Sequence, residues 1–126
     1  MQKVMIWVDD VRPAPAGYIL AQSVNRAKAL IEFLERPQLP NCEDCDLIEK
    51  DCHAFCDKHD LPANEIWLVD LDHDAGDFAN DGGDYIKLLD WFEETGRNYT
   101  LRFHSMNPVG IQNMRAIAEH NGWRVI

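Results

Sequence analysis

A doubly wound α/β domain on a parallel sheet is the fold class this sequence predicts, and three observations predict it. Two β-rich apolar runs, Val4–Val8 and Ile66–Leu71, stop abruptly on aspartates, as buried strands do at a sheet edge. Segments of strand character alternate with segments whose apolar residues recur at helical spacing. Right-handed crossovers return the chain to the same direction each time, so the strands run parallel, helices cover both faces, and the carboxyl ends meet at one edge.

Each element carries its own signal. After Val4–Val8 comes a proline-rich turn, Val11 to Gly17, and then a short strand at Tyr18–Ala21. Ser23 is an N-cap for a helix with Ala27, Leu30, Ile31 and Leu34 on its apolar face, ended by Pro37 and Pro40. Residues 41–62 change character, with all four cysteines and few large apolar side chains, and read as an insertion. The core resumes with Ile66–Leu71, which runs straight into Asp72-His73-Asp74. Tyr85, Ile86, Leu88, Leu89 and Phe92 predict a helix over Asp84–Thr95, with Gly96 as its stop. Thr100–Phe103 is a further strand, ending at His104-Ser105. Asn107-Pro108 opens a helix to about His120, and Trp123–Ile126 is the expected last strand.

Composition narrows the function. At 126 residues and 46% hydrophobic, the chain suffices for one core and one domain over 1–126. A formal net charge of −10 repels nucleic-acid backbones unless a local basic groove or a metal intervenes, which argues against generic DNA coating. The start does not resemble a signal peptide and no run is long enough to span a bilayer, so a cytoplasmic protein without a membrane partner is expected.

In sheets of this kind ligands sit outside the carboxyl ends of the strands. Three predicted strands finish there with Asp9-Asp10, Asp72-His73-Asp74 and His104-Ser105. Converging carboxylates raise one another's pKa unless a cation sits among them, and Mg²⁺ or Mn²⁺ suits two or three carboxylate oxygens with positions left for water and phosphate. Asp9, Asp10 and Asp72 are the expected ligands. His104, at a strand end, is the expected acid/base residue, and Asp72 and Asp74 complete the expected catalytic group. The helix start at Asn107, together with Ser105, is a place for a phosphate oxygen, and Arg12 a clamp for one. Asp70, Asp72, Asp74 and Asp81 imitate an EF-hand loop, but Ala75 stands where that loop needs glycine and a strand precedes it.

The motifs WVDDVRP at 7–13, LDHDAG at 71–76, GGDY at 82–85 and HSMNPVG at 104–110 together resemble the cyclic-phosphate processing receiver-like domain family, a variant of the response-regulator receiver fold. The resemblance implies a flavodoxin-like sheet and a phosphoesterase acting on cyclic phosphates, on nucleotides or at RNA ends. It makes Asp9 and Asp10 the counterparts of the receiver's metal-binding acidic pair, Asp72 that of its phosphoacceptor and Ser105 that of its hydroxyl residue. His104, Asp74 and Asn107 fall in the motifs that set the variant apart. The receiver's lysine at the end of its last strand has no counterpart before Ile126, which weakens a signalling switch. The alternative is a non-catalytic receiver-like module for phosphate sensing or protein interaction.

Within the insertion, Cys42-x-x-Cys45 followed by Cys52 and Cys56 has the spacing of a structural Zn²⁺ site, with His53 or His59 as substitutes and free thiols or disulfides as the alternatives. A closed four-thiolate shell leaves no position for substrate, so the role expected is structural.

Overall fold

The computed structural model describes residues 3–35 and 64–126. The insertion 41–62, with Cys42, Cys45, Cys52, Cys56, His53 and His59, lies outside the described residues. The elements run β1 Lys3–Val8, β2 Tyr18–Ala21, α1 Val24–Glu35, β3 Glu65–Leu71, a 3₁₀ turn Gly76–Phe78, α2 Ile86–Thr95, β4 Leu101–Phe103 and α3 Pro108–Asn121. The sheet order is β2-β1-β3-β4, and every pair is parallel. This is the flavodoxin-like order, with the switch point between β1 and β3.

Local chemistry accounts for the boundaries. The Ser23 hydroxyl accepts the Arg26 amide at 3.1 Å and starts α1. Asn107 Oδ1 accepts the Gly110 amide at 3.0 Å, with Pro108 at the first helical position of α3. Helix α2 begins two residues later than its apolar spacing predicts, after a turn in which Lys87 and Leu88 donate to the carbonyls of Asp84 and Tyr85. The last strand is reduced to one bridge between Val125 and Leu101. The Trp123 amide donates to the Ala118 carbonyl at 2.9 Å in the cap of α3, and the bridge is held by the Leu101 amide donating to the Arg124 carbonyl and the Ile126 amide to that of Leu101.

The core is one-sided among the described residues. Val4, Ile6, Val8, Ala21, Val69, Leu71 and Leu101 present one face of the sheet to Ile31, Leu88, Leu89, Phe92 and Met114 from the helices. Helix α1 packs against α2, and α2 against α3. Handedness explains the sharing of a face, because the β2–β3 and β3–β4 crossovers both advance across the sheet in one sense. The β1–β2 connection runs the opposite way and belongs to the other face, where it is the proline-rich loop Asp9–Gly17 in place of a helix. No helix among the described residues is long and apolar enough to cross a membrane.

Candidate active site

The sheet ladder continues past the strand ends and pins the residues of the carboxyl edge. The amides of Asp9, Asp72 and His104 donate to Ala21, Val8 and Leu71 at 3.3, 2.9 and 3.0 Å. One carboxylate oxygen each from Asp9, Asp10 and Asp72 lies within 4.8 Å of the others, so the three acids expected to hold a cation are brought together.

Their surroundings differ. Asp9 is fully buried, and its Oδ1 accepts the Val11 and Arg12 amides, both at 3.0 Å, while Oδ2 faces His104 Nε2 at 2.8 Å. Burial alone would raise the Asp9 carboxyl, but those two amides and His104 outweigh it and hold it below the usual value. Three of the roughly four acceptor sites of its carboxylate are therefore used, and one remains for a cation. The Asp10 carboxyl is raised, first by burial and then by the negative charge of Asp9 and Asp72. A cation between the three relieves that repulsion, and the donor set is the hard oxygen set Mg²⁺ or Mn²⁺ takes. Room for the Asp10 carboxylate depends on Gly76, whose φ is +54°: a Cβ there would stand 2.2 Å from Asp10 Oδ2.

His104 reaches the edge as expected, but both of its ring nitrogens are engaged. Nδ1 meets Asp70 Oδ1 at 2.6 Å and Nε2 meets Asp9 Oδ2 at 2.8 Å. Burial disfavours the charged ring, yet the hydrogen bonds and charges of the two carboxylates prevail and raise its pKa. The ring also stacks on Trp7. His104 is thus held between two buried acids that favour its protonated form, and Arg12 closes over it, donating from its guanidinium to the His104 carbonyl at 3.0 Å.

A second group adjoins the first. The His73 amide donates to Asp72 Oδ1 at 2.7 Å, and His73 Nδ1 lies 2.8 Å from Asp74 Oδ1. Among the described residues Nε2 of His73 has no hydrogen-bond partner. The ring rests on the start of α3, where Gly110 leaves space for it. That helix start offers less to an anion than its sequence suggests: Pro108 has no N–H, the Gly110 amide is capped by Asn107, and the Asn107 amide donates to Ser105 Oγ at 3.1 Å. Among the groups left for phosphate are the Ser105 hydroxyl proton, the unused N–H groups of Arg12 and the Asn107 side-chain amide, whose nitrogen also lies 3.5 Å from His73 Nδ1.

Sequence reasoning missed Asp70, Trp7 and the unpaired nitrogen that His73 keeps among the described residues. The signal for Asp70 was present, since an acid inside an apolar strand must be paired. The stack of Trp7 on His104 joins residues 97 apart in the chain and had none.

No curated protein and no solved structure matches the chain. The family model described as the cyclic-phosphate processing receiver domain does match, over residues 4–120, and takes in β1 through α3 with every residue of both groups. The chain belongs to the cyclic-phosphate processing receiver domain family.

Proposed function

We propose that this chain is a metal-dependent phosphoesterase that opens cyclic phosphates. The observation that carries the reading is the convergence of Asp9, Asp10 and Asp72 beside His73, a histidine with one nitrogen beside a carboxylate and the other without a hydrogen-bond partner among the described residues. Opening a cyclic phosphodiester forms one P–O bond from water and breaks one to the ring; a proton leaves the water and a proton reaches the departing oxygen. Asp9, Asp10 and Asp72 would hold Mg²⁺ or Mn²⁺, which when bound neutralises charge on the phosphoryl oxygens. Asp74 fixes the His73 ring so that Nε2 can take or give the proton. His104, with both nitrogens occupied, holds Asp9 in place and adds positive charge behind the acids. Arg12, Ser105 and Asn107 supply the donors that orient the phosphate.

A turnover screen with 2′,3′-cyclic and 3′,5′-cyclic nucleotides in Mg²⁺ or Mn²⁺ tests the reading. Turnover is expected, lowered about 10²- to 10⁴-fold by His73→Ala with cation affinity retained, and abolished together with cation binding by Asp72→Asn. Phosphate binding without turnover of any cyclic substrate would favour the non-catalytic sensing module instead.

A further inference from the structure

Trp7 lies on the sheet face opposite the helices, in cross-strand register between Leu20 of β2 and Asp70 of β3. The β1–β2 loop, Asp9–Gly17, belongs to the same face. Its sequence gives it few means of holding itself in place, since Pro13 and Pro15 carry no N–H. Pro13 also disfavours helical backbone at the residue before it, Arg12.

Arg12 is exposed, yet it is tied at three points. Its amide donates to Asp9 Oδ1 at 3.0 Å, its carbonyl accepts the indole N–H of Trp7 at 3.2 Å, and its guanidinium donates from Nη1 to the His104 carbonyl at 3.0 Å. The indole that reaches the Arg12 carbonyl is itself held. One face stacks on the His104 ring, and Tyr18 meets it edge-on with centroids 5.7 Å apart. Trp7, Arg12 and His104 thus close a circuit of contacts that joins β1, the loop after it and the end of β4.

The circuit matters for what Arg12 can do. Holding an anion with an arginine on an exposed loop orders both a long side chain and the loop, and that lost freedom subtracts from affinity. Here the Asp9 carboxylate and the Trp7 indole fix the Arg12 peptide from both sides, and the His104 carbonyl fixes one N–H of the fork. The remaining N–H groups are left for a ligand. Packing alone does not call for an indole, because a phenyl ring also stacks on an imidazole; only the indole N–H reaches the loop.

We infer that Trp7 is a positioning residue for phosphate binding, its N–H setting the Arg12 peptide so that the guanidinium stands at the carboxyl edge before a phosphate arrives. The inference rests on the reading of Arg12 as a phosphate donor at that edge.

The test is a double-mutant cycle on the affinity for inorganic phosphate, measured by calorimetric titration in saturating Mg²⁺ with Trp7→Phe, Arg12→Gln and the double variant. Arg12→Gln weakens phosphate binding about tenfold or more, as loss of a charge-assisted hydrogen bond does. Trp7→Phe keeps a ring on His104 and loses the N–H, which weakens phosphate binding about three- to tenfold, with Mn²⁺ affinity and melting temperature close to wild type. In the Arg12→Gln background Trp7→Phe has no further effect, because the indole then has no guanidinium to position. Replacing Trp7 by its benzothienyl analogue, which keeps the fused rings and carries sulfur in place of the N–H, reproduces the loss. A tryptophan that merely packs gives the opposite pattern: the melting temperature falls and phosphate affinity stays.

Unchanged phosphate affinity in Trp7→Phe or in the benzothienyl variant overturns the inference. So does an equal loss with and without Arg12, or a wild type that binds no phosphate. Turnover of uridine 2′,3′-cyclic monophosphate separates the inference from the phosphoesterase reading. Coupled losses of phosphate affinity without turnover of any cyclic phosphate support the role of Trp7 and sink that reading. Turnover with a KM that Trp7→Phe leaves unchanged does the reverse.

Discussion

The imidazole of His104 lies flat on the indole of Trp7, with centroids 3.8 Å apart and planes 6° from parallel. A ring held this way, with a carboxylate on each nitrogen, is fixed in position, and both carboxylates favour its charged form. The residue with the strongest sequence claim to proton transfer is therefore the one least free to perform it. His73, which the sequence presents only as a neighbour of two acids, keeps a nitrogen available.

His104→Ala should be a stability mutation. Removing the ring leaves Asp9 and Asp70, 0% and 2% exposed, without the group that bridges them. Breaking a buried ion pair from one side costs about 3–5 kcal/mol. Urea denaturation of wild type and variant checks this, and a loss below about 1 kcal/mol would show that the pairing contributes little.

Gly76→Ala should weaken Mn²⁺ binding by about tenfold or more, as loss of support for a metal ligand does. The new Cβ would stand 2.2 Å from Asp10 Oδ2, so the carboxylate has to leave its position beside Asp9 and Asp72. Calorimetric titration with Mn²⁺ measures it. Unchanged affinity would remove Asp10 from the cation site.

How much of this was legible beforehand divides along physical lines. The parallel sheet, the caps at Ser23 and Asn107 and the three acids at one edge follow from local signals and the handedness of crossovers, so they can be read from Val4–Val8, Ile66–Leu71 and the Asn107-Pro108 pair. The hydrogen bonds that decide what the residues do are not local. Whether His104 is a free base or a buried cation depends on Asp9 and Asp70, 95 and 34 residues away. The sharing of one face by the described helices also comes from topology: helices on both faces are the rule for such sheets, and it takes the sense of each crossover, with the short loop after β1, to see that α1, α2 and α3 share one.

Acid should act on the molecule partly through Asp81. Its carboxylate accepts the Ser23 hydroxyl at 2.5 Å and the Asn25 side-chain amide at 3.1 Å, and these bonds, Ser23 first, hold its pKa below the ordinary value. A depressed carboxyl stabilises the fold above its unfolded pKa of about 3.9, and that contribution is lost as pH falls through the folded value. The melting-temperature gap between wild type and Asp81→Asn is therefore full near pH 6 and shrinks below about pH 4. A gap that stays constant down to pH 3 would show that Asp81 does not link this loop to α1.

Gly110→Ala separates a structural His73 from a working one. Position 110 is the third residue of α3, where alanine is a better helix former than glycine by about 1 kcal/mol. The added methyl, however, would lie 2.4 Å from Cγ and 2.6 Å from Cδ2 of His73, with Nδ1 at 2.9 Å, so the ring has to swing off the helix start and away from Asp74. If His73 carries the proton, turnover of a cyclic phosphate falls by a factor on the order of 10² to 10⁴ while Mn²⁺ affinity and melting temperature change little. Adding His73→Ala should then cost little more, because both changes remove the same group. If His73 merely packs against α3, Gly110→Ala alters stability and leaves the rate alone. Rates and melting curves for the two single variants and the double variant decide between these outcomes.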